Sequence, residues 1–272
     1  MNEWIVELKT IKTATEVGVL VLLLAWETAA PFFSFFGSKL RDRAIHLTGN
    51  LALGVLNILL TALAFAGVWF WVADWARQHQ FGLLYLAKLP VWAHALGAIM
   101  LLDAWTYLWH RLNHRVPFLW RFHRMHHSDP KMDVTTASRF HLGEIFFSSV
   151  LRIPLIPLLG IQFGELLLYE ILLLVIVQLH HANIAFPGWL ERGLRAFIVT
   201  PVMHKVHHSR WQPETDSNYS SLLSVWDRIF RSFRLRDDPR AIQFGLNGFD
   251  RADHQTLVGL LRTPLDEAPH DR

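Results

Sequence analysis

Ten of the sixteen histidines fall into four groups between residues 110 and 208. Residues three and four positions apart share one face of a helix, so each group can present its imidazoles in one direction. Imidazole is the commonest metal-ligating side chain and suits iron, zinc, copper and nickel. The spacing therefore predicts a metal site, with all ten as candidate ligands: His110, His114, His123, His126, His127, His180, His181, His204, His207 and His208.

The number of these imidazoles predicts two metal ions. A structural zinc ion takes four ligands, so ten imidazoles exceed the needs of one ion, and about five for each of two ions fits the count. His180 and His181 are neighbours in sequence and point roughly 100° apart on a helix. We therefore expect only one of the two to be a ligand. We favour His181 and treat His180 as its partner, although the sequence leaves the choice open.

Five further residues are predicted to orient the ligands rather than bind metal. A carboxylate that accepts the free imidazole N–H fixes the tautomer and the direction of a ligating histidine. Asp103 lies two helical turns before His110, and Glu144 either orients a ligand or pairs with Arg139. We assign no separate catalytic acid or base. The predicted supporting residues are Asp103, Tyr107, His141, Glu144 and Asn183.

Apart from His141, the histidines outside the four groups are expected to be solvated or to lie at a membrane interface. None of them has a histidine neighbour at helical spacing. They are His46, His79, His94, His254 and His270.

The composition indicates that the elements carrying these groups lie in a membrane. Hydrophobic residues make up 52% of the chain and charged residues only 18%, whereas a soluble domain carries about 25% charged residues. There is no cysteine, which excludes disulfides and thiolate metal sites. The net charge is +3 and the basic residues are scattered, so no nucleic-acid partner is expected.

Apolar stretches of about 20 residues can cross a membrane as helices. We predict three long spans at 17–36, 47–73 and 91–109, and a helical hairpin formed by 145–160 and 165–179. The predicted fold is all-α and multi-pass, with a histidine-rich dimetal domain at one face. The expected regions are a transmembrane part at 1–109, a catalytic domain at 110–236 that includes the hairpin at 145–179, and a polar C-terminal tail at 237–272.

Basic residues in short loops mark the cytoplasmic side of a membrane protein. One set of basic residues follows the first predicted span and a second set follows the third, so both fall on the same side. The hairpin returns the chain to that side, and all four histidine groups are then predicted to be cytoplasmic. The basic residues are Lys39, Arg41, Arg43, Arg111, Arg115, Arg121 and Arg124.

At these residues the chain resembles the fatty acid hydroxylase/sterol desaturase superfamily of integral-membrane oxygenases. The resemblance covers roughly residues 100–250 and rests on the ordered motifs at 103–114, 119–128, 139–144, 200–208, 218–219 and 226–230. It implies a non-haem di-iron centre, O2 as co-substrate and a lipid C–H bond as target. It also implies electrons from a separate donor, a ferredoxin or a cytochrome b5-like protein with its reductase.

Three motifs depart from the family pattern. Ser220 stands where relatives often have glycine after Asn-Tyr, and 230–232 read Phe-Arg-Ser where relatives often have Phe-Gly-Thr. Leu142 replaces the proline of a His-Pro-x-Glu motif. None of these positions is a proposed ligand.

The expected function is hydroxylation of a fatty acyl chain, sterol or related lipid, and desaturation by the same centre is the alternative. Zinc can replace iron in overproduced protein, because iron(II) stands low in the affinity order. A zinc hydrolase would use three protein ligands and an open position, and a transporter would place its ligands at mid-membrane depth. The sequence does not determine the lipid, the oxidised carbon, the electron donor or the oligomeric state.

Overall fold

The computed structural model describes residues 3–37 and 39–267, and this part of the chain is built from helices. Its only β-type pairing is a single bridge between Ile198 and Leu223. The helices are α1 (Glu3–Ala29), α2 (Leu40–Leu60), α3 (Ala66–Gln78), α4 (Leu83–Leu86), α5 (Val91–Arg115), α6 (Pro117–His127), α7 (Leu142–Leu159), α8 (Phe163–His181), α9 (Gly188–Leu194), α10 (Pro201–His207), α11 (Gln212–Thr215), α12 (Val225–Ile229) and α13 (Leu257–Arg262).

Within the described residues, four helical segments are long and apolar enough to cross a membrane. One is the stretch Leu40–Leu86, in which a π-helical turn at Thr61–Phe65 joins α2 to α3. The other three are α5, α7 and α8. The prediction of an all-α, multi-pass membrane fold is confirmed, and the two hairpin helices are each long enough to cross.

The first predicted span differs from the structure in its boundaries. The helix begins at Glu3 and ends at Ala29, because Pro31 cannot continue a helix and disfavours helical geometry at the residue before it. Helix α1 is not among the four candidate spans, since Lys12, Glu16 and other charges interrupt its apolar sequence. It nevertheless packs along α8, where Lys12 Nζ bonds Glu170 Oε2 at 2.7 Å.

Helices α3, α5, α7 and α8 form the main apolar core, with Ala98, Leu102, Ile156 and Leu166 almost fully buried. At the end remote from the histidines, the loop before α4 touches the turn between α7 and α8. A Cβ atom at position 82 would lie 2.3 Å from the Gly160 amide nitrogen. Both glycines also have positive φ, so this close approach requires glycine.

The ends of α5 and α8, together with α6 and α10, meet at the opposite end of this core. Val116 is extended before Pro117, which starts α6 directly after α5. The C-terminal residues cover this region, because Ile242 and Phe244 pack on Met132 and Val206. The helices therefore deliver all four histidine groups to one end of the bundle.

Candidate metal centre

Nine of the ten candidate histidines form two buried clusters. Within each cluster the potential donor nitrogens lie within 4.8 Å of one another. His180 is in neither cluster, and its ring stacks on that of His204 at 3.8 Å between centroids. The first cluster contains His110, His114, His123, His127 and His207, and the second contains His126, His181, His204 and His208.

Two short helices supply ligands to both clusters. On α6, His123 and His127 face the first cluster while His126 faces the second. On α10 the same division separates His207 from His204. Because single helices contribute to both clusters, the two candidate sites must adjoin.

The hydrogen bonds of the imidazoles fix which nitrogen faces the clusters. His110 Nδ1 lies 2.7 Å from the Tyr219 carbonyl, and His207 Nδ1 lies 2.6 Å from the Ser217 carbonyl. His181 Nδ1 lies 2.7 Å from a carbonyl of its own helix. A carbonyl oxygen only accepts, so each Nδ1 must carry the proton. Each Nε2 then presents a lone pair to its cluster.

These nitrogens converge at distances at which a shared cation can satisfy their lone pairs. His181 Nε2 lies 3.1 Å from the Nε2 atoms of both His126 and His204, and the first cluster has a 3.2 Å contact between the Nε2 atoms of His110 and His123. Both ring nitrogens of His127 are buried without a partner. Buried lone pairs that face one another cost free energy unless something binds them. The residues therefore fit one metal ion in each cluster.

The clusters also keep their imidazoles neutral, as ligation requires. Burial lowers the pKa of His207 to about 3. Burial is also the main cause that lowers the pKa of four other clustered histidines outside the candidate spans, and the neighbouring histidines add to it. These are His123's helix neighbours His126 and His127, together with His204 and His208.

Glu144 contacts a clustered histidine directly. Its Oε1 accepts a hydrogen bond from His123 Nδ1 at 2.9 Å and one from the Asn113 amide at 3.2 Å. Of the two roles weighed from the sequence, the structure gives the orienting one. Arg139 instead donates to Met125 O, Asn50 Oδ1, Ser128 Oγ and Gln255 Oε1.

Asp103 and Tyr107 do not contact an imidazole in the way the sequence suggested. Asp103 Oδ2 accepts from Trp226 Nε1 at 2.7 Å and from the Leu223 amide at 3.1 Å. The Tyr107 hydroxyl bonds Ser232 Oγ at 2.8 Å. Both residues therefore contact the segment 219–232, whose Tyr219 carbonyl bonds His110.

His141 and Asn183 also act away from the clusters. His141 Nδ1 accepts from the Gly143 amide at 2.9 Å and so caps α7, while its Nε2 donates to the Leu261 carbonyl. Asn183 exchanges two hydrogen bonds with the Phe33 backbone. The buried Glu27 carboxylate accepts from the Asn183 amide at 2.9 Å, which ties α1 to the end of α8.

His94 is buried and the His46 side chain is only 10% exposed, so the solvated position, one of the two expected, is wrong for these isolated histidines. His94 Nδ1 lies 2.7 Å from Glu165 Oε1, and His46 Nε2 lies 3.3 Å from Asp133 Oδ2. Each ring thus contacts a carboxylate that is distant in sequence. His79 is exposed, His254 is half-buried, and His270 lies outside the described residues.

Three residues that touch or support ligands were not among the predicted site residues. The Tyr219 ring packs on those of His110, His114 and His207, and Asp216 Oδ1 lies 3.5 Å from His114 Nδ1. The third residue, Asp227, accepts from the amides of 219 and 220. Two of these positions, 219 and 227, lie in motifs that carried the family resemblance, and this was the available signal.

Comparison with known proteins supports the resemblance to fatty acid hydroxylases that the sequence motifs suggested. The sequence profile described as "Fatty acid hydroxylase" matches residues 95–232, which is 138 of 272 residues. The chain is 32% identical over 181 residues to the ornithine lipid hydroxylase OlsE of Rhizobium tropici, covering 66% of this chain and 49% of that protein. It is 29% identical over 198 residues to human alkylglycerol monooxygenase, covering 70% and 41%.

A third relative is human cholesterol 25-hydroxylase, 26% identical over 149 residues, with 54% of this chain and 53% of that protein covered. The chain thus spans about half the length of these relatives, and no solved structure matches it. The profile covers half of the chain and includes every histidine of both clusters. The chain therefore belongs to the fatty acid hydroxylase family.

Proposed function

We propose that this protein is a membrane-bound non-haem di-iron oxygenase that hydroxylates a C–H bond of a lipid with O2 and external electrons. The observation that carries the proposal is the pair of adjoining clusters, in which nine buried imidazoles bring their nitrogens within 4.8 Å of one another in each cluster. Several of these nitrogens have no partner, among them both of His127 and Nε2 of His207. Family membership supports the reaction class. When bound, the two irons supply the activation of O2 that an unactivated C–H bond requires.

The protein's own residues supply binding, orientation and exclusion of water. The five imidazoles of the first cluster would hold one ion and the four of the second cluster the other, while His180 stacks beside them. Glu144 holds His123 in the tautomer that presents Nε2. Because all nine rings are buried, bulk water has little access to the place where the ions would sit. This arrangement protects a reactive centre from side reactions.

The clusters' position at the ends of α5 and α8 suits an amphiphilic substrate. A lipid can leave its apolar body among the helices while the carbon to be oxidised reaches the clusters. The names of the three relatives refer to an ornithine lipid, an alkylglycerol and cholesterol. We therefore propose a membrane lipid with a polar head as the substrate class. All three names describe hydroxylases or monooxygenases, which favours hydroxylation over desaturation.

We further propose that the clusters face the cytoplasm and receive electrons from a separate redox protein. Lys39 precedes α2 and Arg41 and Arg43 lie in its first turn, whereas Arg111 and Arg115 lie in the last turns of α5. Two crossings separate these positions, so both lie on the side that holds the histidines, whether or not α1 spans the membrane. The abundance of basic residues there supports a cytoplasmic location.

Lipid analysis of cells that produce the protein tests the proposal. Membranes from cells with the wild-type chain should contain a lipid that has gained one oxygen atom. Cells with His207→Ala at matched expression should lack it, because that imidazole belongs to the first cluster. Loss of two hydrogens in place of the oxygen gain would show desaturation. An unchanged lipid profile under aerobic growth with an iron-loaded protein would contradict the proposed function.

A further inference from the structure

The carboxylate of Asp227 lies at one end of a hydrogen-bonded path that leads to His110. Its Oδ2 accepts from the Ser220 amide at 3.0 Å. The carbonyl of the same peptide unit is that of Tyr219, and it accepts from His110 Nδ1 at 2.7 Å. The path therefore runs from a carboxylate, through one peptide unit, to an imidazole of the first cluster.

The charge state of Asp227 follows from its partners. Its Oδ1 accepts from the Tyr219 amide at 2.8 Å and from Ser232 Oγ at 2.7 Å. Both oxygens thus act as acceptors, as in an ionised carboxylate. The side chain is fully buried, and no ion pair with a basic residue is found for it in the described part of the chain. Its negative charge therefore acts through these hydrogen bonds.

A peptide unit transmits such a charge. An anion at the amide hydrogen draws electron density toward the carbonyl oxygen, and linked hydrogen bonds polarise one another. The carbonyl then accepts more strongly from His110 Nδ1, and Nε2 becomes a better electron donor. A carboxylate bonded directly to a ligating histidine has this effect on metal sites. Here the effect would pass through the backbone.

The two clusters differ in this kind of support. In the first cluster, Glu144 bonds His123 directly and Asp216 lies beside His114. In the second, the Nδ1 atoms of His126 and His181 face the carbonyls of residues 139 and 177. Among the described residues no carboxylate forms a hydrogen bond with a histidine of the second cluster. Direct carboxylate contact therefore distinguishes the first cluster from the second.

We propose that Asp227 is a positioning residue that acts through the peptide between Tyr219 and Ser220 to strengthen the metal binding of His110. The inference rests on the two-ion centre of the proposed function. The proposal predicts a selective effect. Loss of the Asp227 charge weakens the binding of the ion in the first cluster and leaves the binding of the ion in the second cluster unchanged. Asp103 supplies the matched comparison, because it is equally buried and holds the same segment at Leu223 and Trp226.

The experiment compares Asp227→Asn with Asp103→Asn and wild type in the full-length protein. Zinc binding is measured by competition with a chelator, and the absorption spectrum of the cobalt(II)-loaded protein reports on the coordination of each site. Asp227→Asn should lower the affinity for one of the two zinc ions about tenfold. This is the lower end of the range for residues that bond a ligating histidine. It should also shift part of the cobalt spectrum. Asp103→Asn should leave both zinc affinities within about threefold of wild type.

Equal weakening in both variants would show that Asp227 merely holds the segment, and an unchanged affinity in Asp227→Asn would also overturn the proposal. If Asp227→Asn fails to fold, Ser232→Ala tests the proposal instead. That substitution removes the neutral hydroxyl that donates to Asp227 and leaves the carboxylate in place. The proposal then requires zinc binding at least as tight as in wild type, and weaker binding refutes it. If wild-type protein binds no second ion, the proposed dimetal function fails. Two ions in wild type with an unaffected Asp227→Asn refute only this inference.

Discussion

Replacing Glu144 by glutamine tests whether carboxylate support matters for the metal centre. The substitution preserves the shape of the side chain and removes its charge. Glu144 is 5% exposed and its partner His123 only 1%, so water cannot replace the lost interaction. The glutamine oxygen can still accept from His123 Nδ1, which isolates the contribution of the charge.

The expected size of the effect follows from the geometry. The 2.9 Å bond joins a carboxylate to an imidazole N–H, and a hydrogen bond to a charged group contributes about 1.5–3 kcal/mol. Partners of this kind change metal affinity roughly 10–100-fold, or about 1.4–2.8 kcal/mol. Because glutamine retains a neutral hydrogen bond, we expect about a tenfold loss of affinity. Glu144→Ala should lose about a hundredfold, since it leaves the His123 N–H and the Asn113 amide unpaired.

Titration of metal-free protein with zinc against a competing chelator measures this loss, and iron content after purification gives an independent value. Glu165→Gln is the matched control. Glu165 is also buried, and its Oε1 makes a 2.7 Å bond to a histidine, but that histidine, His94, lies in neither cluster. We expect Glu165→Gln to leave metal affinity unchanged.

Two results would refute this reasoning. Wild-type affinity in Glu144→Gln would show that the carboxylate does not tune His123. The same loss in Glu165→Gln would show that any buried carboxylate–histidine pair matters, so that metal affinity reports general stability rather than the centre.

Three further predictions follow from the same geometry. His207→Ala should abolish product formation and reduce bound metal, whereas His79→Ala, at an exposed position outside both clusters, should change neither at matched expression. A cysteine in place of the exposed Ala87 should react with a membrane-impermeant thiol reagent added to whole cells, and one in place of the exposed Arg121 should react only after lysis; the opposite pattern would reverse the proposed topology. Burial lowers the pKa of His207 from its ordinary 6.5 to about 3, so the unfolded chain binds more protons than the folded chain between these values. The free energy of unfolding should therefore fall as pH drops below about 6.5, and thermal unfolding of metal-free protein that is unchanged down to pH 4 would contradict this.

Residue type and helical spacing were sufficient to predict which histidines gather at the centre. Spacing alone did not predict how they divide. On α6, residues three and four positions apart appeared to share one face, yet His126 faces one cluster and His127 the other. Adjacent side chains point roughly 100° apart on a helix. Whether a second site lies in the direction of His126 depends on how α8 and α10 pack against α6.

The groups that hold the ligands were predicted less well. The acceptors for His110, His207 and His181 are backbone carbonyls, and every residue type carries one. Their positions depend on the path of the chain, which no side-chain pattern records. Asp103 was expected to reach an imidazole because both lie on α5, but its Oδ2 instead accepts from the Leu223 amide and the Trp226 indole of a distant segment.

The burial of isolated polar residues could not be predicted from the sequence either. His94 and Glu165 are 71 residues apart, and neither has a local partner that would indicate pairing. Each looks like a polar residue near a span end until tertiary packing brings the two together.

Metal analysis of purified, catalytically active protein tests the central claim most directly. The two adjoining clusters predict about two iron ions per chain, with zinc replacing iron only in inactive preparations. A stoichiometry of one ion or none in active protein would contradict the dimetal centre.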